Sequence, residues 1–521
     1  MREKKKGFFE HILSVIKILA VVLTVVLWTG ALLVTSYVND MSTQVTLFKN
    51  NNVFGAICVG LFYAFVCCIV AAWAQKKLRY KDKTFAIIVM AWIGVVGLLL
   101  IAFGKSVPGG DAMSVYGIAE MFARGDMSAI HPTDSYLSYY PHQIGLVAFW
   151  ELLFRIWNAL GIDYHAYHFM KGIYVILTCV TVYFGYRSVD KIWKNTYVNA
   201  LFLCFAALNL PMLFYSSFLY GEVPGFAAFT VGMYYLLCFA EKKKICVEGG
   251  LSILFFTLSV MLRKNSLILM IAVCLVILCE GFKQKKPLFL AMAAVCMVCA
   301  ISVLPVVRKA YEYRAGNTLN SGVTAMSYFA MGMQEGGRAC GFYNGFNFDT
   351  YEQSGLNADI ADEVSREAIA ERLQYFKENP GYALNFYTKK HLAQWSCGTY
   401  DSLKATINNY GGRSAFFHEI YEGKLSKYYI GYCKVFQMVI FGGALLFSLM
   451  QLKKKKDTMI QKELAQGFWA YIGLIGVLGG FLFHMLWEAS ARYIYVYSLL
   501  LVPYAAWGIG ILCQKYFKKL N

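Results

Sequence analysis

Apolar runs of roughly 20 residues alternate with short polar segments along most of the chain. A helix needs about 20 mainly apolar residues to cross the hydrocarbon core of a bilayer. The pattern therefore predicts an all-α polytopic membrane protein with twelve spans. The predicted spans cover residues 15–36, 53–75, 84–104, 166–186, 197–217, 223–240, 247–262, 265–282, 287–307, 429–450, 466–486 and 493–513.

One further apolar run, residues 144–160, does not fit this series. It contains Glu151 and Arg155, which lie four residues apart and so share one face of a helix. If the run crossed the membrane, four basic clusters would fall outside the cell, whereas the positive-inside rule places short basic loops in the cytoplasm. We therefore predict a juxtamembrane helix on the outer face, with both chain termini cytoplasmic. The four clusters are residues 187–194, 242–244, 283–286 and 453–456.

Composition supports a multi-pass protein of the cell membrane. Hydrophobic residues make up 58% of the chain and charged residues 15%, against about a quarter charged in soluble proteins. The net charge of +18 would suit a nucleic-acid partner, but the basic residues lie in short clusters between apolar runs. That distribution indicates membrane topology, and we predict membrane lipids and no nucleic acid as partners.

The longest polar segment, residues 308–428, carries 13 basic and 13 acidic side chains. It is neutral where the predicted cytoplasmic loops are basic, so we predict a small, mainly helical extracytoplasmic domain. Residues 359–378 have the spacing of an amphipathic helix. Its predicted apolar face is formed by Ile360, Val364, Ala368 and Phe376.

Residues 382–395 mix aromatic side chains with Lys389 and Lys390. This mixture is typical of a helix that rests at the membrane interface. Cys340 and Cys397 lie in the same outer segment, and either a disulfide or two free thiols is compatible with the sequence. Cysteines and histidines show no metal-ligand spacing.

Ionisable residues at the outer ends of the spans are few. Charged groups at membrane depth are costly, so they usually pair or face a cavity. Carboxylates there can accept a proton from a substrate hydroxyl, and cations can hold a phosphate. The catalytic candidate is Asp111. The candidates for substrate binding are His142, Tyr220, Glu222, Arg263, Lys264, Glu488 and Arg492.

Purely structural interpretations of these residues stay open. Asp111 can be the N-cap of a helix over residues 112–123, and Glu222 can be a satisfied charge at a helix start. Glu488 and Arg492 lie four apart and can form a simple salt bridge. Three further candidates can be residues of the membrane interface; these are His142, Arg263 and Lys264.

The order of these parts resembles the GT-C superfamily of integral membrane glycosyltransferases, which includes the dolichyl-phosphate-mannose protein mannosyltransferases. In that family an outward span ends in an acidic motif, as Gly110-Asp111 does here. An interfacial helix opens with a proline motif like Tyr140-Pro141-His142, a second acidic position stands where Glu222 lies, and an Arg-Tyr motif like Arg492-Tyr493 opens a late span. Two features differ from the family pattern. The acidic loop follows the third span here, whereas it usually follows the first span in the family, and Asp111-Ala112 stands where the family commonly has an Asp-Glu pair.

The predicted spans, the polar segment and the resemblance together predict four regions. They are an N-terminal two-span extension (1–83), a GT-C-like catalytic module (84–307) with juxtamembrane helices (112–161), the extracytoplasmic domain (308–428) and a C-terminal three-span segment (429–521).

The resemblance also implies a reaction. A sugar would move from a polyprenyl-phosphate carrier to a lipid, glycan or protein acceptor, with Asp111 as general base and Arg492 and Lys264 stabilising the lipid phosphate. No cofactor is expected, and no metal can be argued from the sequence. A polysaccharide polymerase and a lipid or polysaccharide flippase remain alternatives, because both classes also combine many spans with basic cavities. The sequence does not indicate which sugar or acceptor is used.

Overall fold

The computed structural model describes residues 2–38, 43–78, 81–162, 165–452 and 467–520, with side chains described between residues 7 and 515. The basic cluster at residues 453–456 lies outside the described residues.

Helices dominate the described chain. Their bounds are α1 Arg2–Leu33, α2 Val53–Lys77, α3 Asp82–Leu99, α4 Asp111–Ala123, α5 Tyr136–Tyr139, α6 Ile144–Ala159, α7 Ala166–Trp193, α8 Thr196–Ala207, α9 Leu210–Tyr215, α10 Glu222–Lys242, α11 Val247–Leu262, α12 Ser266–Gln284, α13 Pro287–Ala315, α14 Ala325–Gly332, α15 Phe346–Gln353, α16 Ala358–Glu378, α17 Pro380–Trp395, α18 Ser402–Ala405, α19 Ala415–Tyr421, α20 Ser426–Leu452, α21 Ile472–Leu486 and α22 Ala491–Leu520. A π-helical turn, Leu100–Gly104, extends α3, and 3₁₀ turns, Pro141–Gln143 and Phe468–Tyr471, precede α6 and α21.

Ten helices in the described ranges are long and apolar enough to cross a membrane, which is the architecture of a polytopic membrane protein. Two further apolar helices, α8 and α11, are shorter. The predicted span at 197–217 is broken, because α8 ends at Ala207 and the Asn209 side chain caps the new helix α9 by accepting from Met212 N. A 12-residue helix is about 18 Å long, well short of a bilayer core. The predicted count of twelve therefore requires both short helices to be included.

Helices α3 and α7 run in opposite directions, which locates α6. At the start of α3, Asp82 Oδ2 accepts from Asn199 Nδ2 (2.9 Å) and from the hydroxyl of Tyr186 near the end of α7 (3.2 Å). At the other end, Lys171 Nζ near the start of α7 donates to Ser106 O beyond α3 (2.9 Å). The chain thus leaves α3 and enters α7 at the same end of the bundle, and α4 to α6 lie at that end without crossing it.

A buried carboxylate with two partly exposed arginine partners fastens α6 to a neighbouring helix. Glu151 is 3% exposed and pairs with Arg155 and with Arg314 of α13, each at 2.8 Å. The hydroxyl of Tyr311 also donates to the Glu151 carboxylate. The Glu151–Arg155 spacing read from the sequence is therefore part of a larger cluster that ties α6 to α13.

Residues 308–428, the predicted extracytoplasmic domain and named the outer segment for that prediction, contain helices as predicted. The predicted apolar face of α16 is correct only in part, because Phe376 is buried and Ala368 packs against the same cluster. In α16, Ile360 and Val364 are exposed, whereas Ser365 is buried and its Oγ lies 2.9 Å from Ser327 Oγ of α14. In the first half of α16 the buried face is shifted by one residue from the predicted one, because α16 packs against α14. In α17, the expected interface residue Lys390 is fully buried within the protein, together with Trp395. Cys340 and Cys397 are both free thiols.

One two-stranded sheet departs from the all-α expectation. Strands β1 (Val34–Val38) and β2 (Thr46–Asn50) pair antiparallel between α1 and α2. Ser36 N donates to Ser396 O (3.2 Å) and Thr46 N donates to Arg338 O (2.9 Å), so the hairpin is bound to the outer segment. Helix α1 itself packs along α20, which places the N-terminal pair of spans against the C-terminal region.

Candidate functional site

A cavity of about 830 Å³ opens where the loop after α3, the start of α10, the end of α11 and the α21–α22 connection meet. The structure brings nearly all the sequence-predicted site residues to its wall, and Glu222 lies directly behind it. The predicted residues that line the cavity are Asp111, His142, Tyr220, Arg263, Lys264, Glu488 and Arg492.

The loop that leads to Asp111 is held in place by hydrogen bonds between its backbone and residues of other segments. Val107 N donates to Asn408 O in the outer segment (2.9 Å), and Lys171 holds Ser106 O. A Cβ at Gly109 would lie 1.5 Å from Asn408 Nδ2, so the chain can pass this close to the outer segment only at a glycine. The position of the Asp111 loop therefore depends on residues 300 positions further along the chain.

Asp111 presents an unpaired carboxylate. It is exposed and is the first residue of α4, and no hydrogen-bond or ion-pair partner for its side chain lies among the described residues. Gly110 occupies the N-cap position with φ +56°, a conformation that favours glycine. Asp111 is thus not the N-cap, and its carboxylate is available to a ligand in the cavity.

Two arginines converge on one buried carboxylate. Glu222 is 2% exposed, and its Oε1 lies 2.9 Å from Arg263 Nη2 and 3.5 Å from Arg492 Nε. A buried carboxylate needs such pairing to offset its desolvation. Because two guanidinium groups share one carboxylate, this Arg263–Glu222–Arg492 cluster presents a net positive charge to the cavity.

Tyr220 lies between the two guanidinium groups. Its ring centroid is 5.1 Å from Arg263 Cζ and 5.2 Å from Arg492 Cζ, and Gln143 Nε2 donates to its hydroxyl (2.5 Å). Burial, together with the Asp111 charge, raises the pKa of Tyr220 to about 12 against the opposing effect of the arginines. The ring therefore stays neutral and holds both arginines by cation–π contacts.

Close packing of α10 against α11 positions Arg263. A Cβ at Gly221 would lie 2.4 Å from Leu262 O, and one at Gly145 would lie 2.1 Å from Met261 O. Only glycine permits both approaches. As a result the end of α11 is wedged between α6 and α10, and the residue that follows Leu262 points toward Glu222.

Glu488 is a second carboxylate at the cavity wall, 9% exposed. Burial raises its pKa to about 7; the nearby Arg492 and the hydrogen bond from the Tyr493 hydroxyl (3.2 Å) oppose this rise, and Asp111 adds to it. Near neutral pH Glu488 can therefore hold or release a proton. The simple Glu488–Arg492 salt bridge considered from the sequence is absent among the described residues, because Arg492 pairs with Glu222 instead.

His142 and Lys264 complete the predicted set. Burial, and then the charges of Lys264 and Arg263, lower the pKa of His142 to about 3. His142 is thus a neutral imidazole that can donate or accept a hydrogen bond but carries no charge. The Lys264 ammonium is exposed and has no ion-pair partner among the described residues, so it is available to an anion.

The outer segment supplies cavity residues that the sequence did not indicate. Lys404 pairs with Asp401 (3.9 Å), and Arg338 lies over the Tyr343 ring (5.2 Å). Asn347 is 1% exposed, and no hydrogen-bond partner for its Oδ1 lies in the described part of the chain. These residues lie in a polar segment where charged and aromatic side chains are common, so nothing in the local sequence distinguishes them.

One side of the cavity is apolar. It is lined by Leu267, Ile268 and Ile271 of α12, and Ile271 is 47% exposed on the surface of the bundle. An apolar wall of this kind can contact a hydrocarbon chain. Nowhere in the described ranges do three or more His, Cys, Asp or Glu side chains converge as metal ligands would.

Comparisons with known proteins do not identify a family. No protein-family model matches the chain, and no curated protein matches it. Among solved structures, the chain is similar to the archaeal oligosaccharyltransferase AglB from Archaeoglobus fulgidus, in complex with an inhibitory peptide and a dolichol-phosphate, with a TM-score of 0.45 and 12% sequence identity. The match covers 85% of this chain and 52% of that one, so the chain spans about half the length of AglB. A likeness at this level does not assign the chain to a family.

Proposed function

We propose that this protein is a membrane glycosyltransferase that moves a sugar from a polyprenyl-phosphate carrier to an acceptor on the extracytoplasmic face. The observation that carries the proposal is a single cavity in which the free Asp111 carboxylate and the cationic Arg263–Glu222–Arg492 cluster meet. A base and a phosphate site in one cavity suit glycosyl transfer, and the apolar α12 wall suits the lipid tail.

In the proposed reaction the acceptor hydroxyl oxygen attacks the anomeric carbon of the sugar. Its proton passes to Asp111, and the bond from that carbon to the phosphate oxygen breaks with inversion. The lipid phosphate leaves with the electron pair, and Arg492 and Lys264 stabilise the charge that develops on it. Lipid, glycan and protein acceptors all carry suitable hydroxyl groups.

The orientation that we propose places the cavity outside the cell and both termini in the cytoplasm. Two of the predicted basic clusters, 187–194 and 242–244, lie near the opposite end of the bundle, where Lys191 of α7 pairs with Glu241 of α10 (2.7 Å). A membrane-impermeant thiol reagent applied to intact cells should label Leu384→Cys and not Lys194→Cys, since both side chains are exposed at opposite ends. The parent protein gives the background from native cysteines. Labelling of Lys194→Cys by the reagent outside the cell would show that the proposed orientation is wrong.

The function is tested by a transfer assay on the purified protein in lipid nanodiscs. Membranes from cells that lack the protein, labelled with radioactive sugars, supply lipid-linked donors and acceptors. We expect loss of label from the lipid fraction, its appearance in a product, and release of one polyprenyl phosphate for each sugar transferred. If intact lipid-linked sugar crosses the bilayer without release of phosphate, the protein is a flippase; stepwise growth of a long product would identify a polymerase.

A further inference from the structure

We propose that Lys390 is a positioning residue, which holds the cavity edge carrying Glu488 and Arg492 against the outer segment. Lys390 lies on α17 and is fully buried. Its Nζ donates to Gly332 O (2.5 Å), Trp487 O (2.8 Å) and Met485 O (3.1 Å). The consequence for transfer rests on the proposed function; the positioning itself does not.

The ammonium lies between the carboxyl ends of two helices. Gly332 is the last residue of α14, while Met485 and Trp487 are at the end of α21. The last carbonyls of a helix lack partners within it and carry the negative end of its dipole. One cation therefore satisfies the ends of two helices that belong to different parts of the chain.

Three acceptors match the three N–H groups of an ammonium, and no carboxylate lies within ion-pair distance of it among the described residues. Burial lowers the pKa of Lys390 to about 7, while the nearby Glu488 charge and the three carbonyl oxygens favour the protonated form. A buried lysine that serves only to fill space would be replaceable by methionine. Here three hydrogen bonds from one side chain, which methionine cannot make, join α14 to α21.

The segment that follows is held by the same part of the molecule. Ala489 N donates to Gly341 O (2.8 Å), and Gln394 Nε2 donates to Ser490 O (3.3 Å). Glu488 thus lies between two anchored neighbours, and Arg492, the second residue of α22, follows Ser490 by two positions. Release of the Lys390 contact should loosen residues 485–490 and displace both charged side chains.

The test compares Lys390→Met and Lys390→Arg with Lys389→Met, which removes an exposed lysine from the preceding position. Hydrogen–deuterium exchange followed by mass spectrometry reports the mobility of residues 485–490. Binding of geranylgeranyl phosphate to the protein in nanodiscs reports the phosphate site. In Lys390→Met we expect about tenfold faster exchange at 485–490, unchanged exchange in α16, and about tenfold weaker binding.

Lys390→Arg should retain part of the exchange protection at 485–490 and part of the phosphate binding, because it keeps the charge but cannot direct three donors from one nitrogen. Lys389→Met should match the parent. If folded Lys390→Met shows parent-like exchange and binding, Lys390 is merely structural and the proposal is wrong; if that variant does not fold, Lys390→Arg decides by the same two measurements. If the parent protein shows no sugar transfer, the glycosyltransferase proposal is wrong. Faster exchange at 485–490 in Lys390→Met would still support the positioning role in that case.

Discussion

Replacement of Asp111 by asparagine should lower the rate of sugar transfer by about 100-fold or more and leave the protein folded. The loss corresponds to removal of a general base, which contributes roughly 10²–10⁴-fold. Folding should survive because the Asp111 side chain is exposed and has no partner among the described residues. The loss of a charge near the start of α4 costs at most about 1 kcal/mol. The nanodisc transfer assay measures the rate, and thermal unfolding measures stability.

Two further variants make the Asp111 result specific. Asp111→Glu should also lose about 100-fold, since an extra methylene displaces the carboxylate by roughly 1 Å in a positioned site. Asp126→Asn is the matched control, because Asp126 is exposed outside the cavity and its carboxylate accepts from Ser128 N within its own loop. A normal rate in Asp111→Asn would remove Asp111 as the base and transfer the role to Glu488, whose raised pKa would then give a rate that falls below about pH 7.

Charges at the ends of apolar runs made much of the cavity predictable from the sequence. An ionised side chain at membrane depth needs a partner or water, so Glu222, Arg263 and Arg492 were recognisable although they come from different spans. The sequence did not reveal which charges pair. The short spacing of Glu488 and Arg492 favoured a local salt bridge, but the chain between them is not helical until Ala491, and Glu222 meets Arg492 instead.

Contacts made by the outer segment could not be predicted from charges at the ends of apolar runs. Lys390 lies in a run of aromatic residues and lysines that is typical of a membrane interface, and its burial follows from two helix ends that are far apart in sequence. The packed face of α16 differs from its most apolar face for a similar reason, since Ser365 meets Ser327 of α14. Long-range packing decides between equally plausible local patterns in both helices.

The break between α8 and α9 shows a different limit. Residues 197–217 are apolar enough for one span, and length alone predicts a single helix. Asn209 and Pro211 interrupt it, because the asparagine side chain caps a new helix and proline is favoured in a first helical turn. Here the capping residues, and not the hydropathy of the run, determine where the helix ends.

Substitution of Arg492 tests the phosphate site without leaving the buried Glu222 carboxylate unpaired. Truncation of Glu222 would leave two partly buried guanidinium groups without their carboxylate, and losses of this kind cost up to about 3–5 kcal/mol. Truncation of Arg492 leaves Glu222 still paired with Arg263 at 2.9 Å. The fold should therefore tolerate Arg492→Ala, and a change in activity can be assigned to the cavity.

Arg492→Ala should lower kcat/KM for the lipid-linked donor by about 100-fold, in the range for loss of one group that stabilises developing charge. Arg492→Lys should lose only about tenfold, because it keeps the charge but not the planar contacts with Tyr220 and Tyr493. Binding of geranylgeranyl phosphate should weaken in the same order. Arg366→Ala, at an exposed position on α16, is the matched control and should behave like the parent. Parent-like kinetics and binding in both Arg492 variants would reduce Arg492 to a counterion of Glu222 and would leave Lys264 as the remaining candidate for the phosphate.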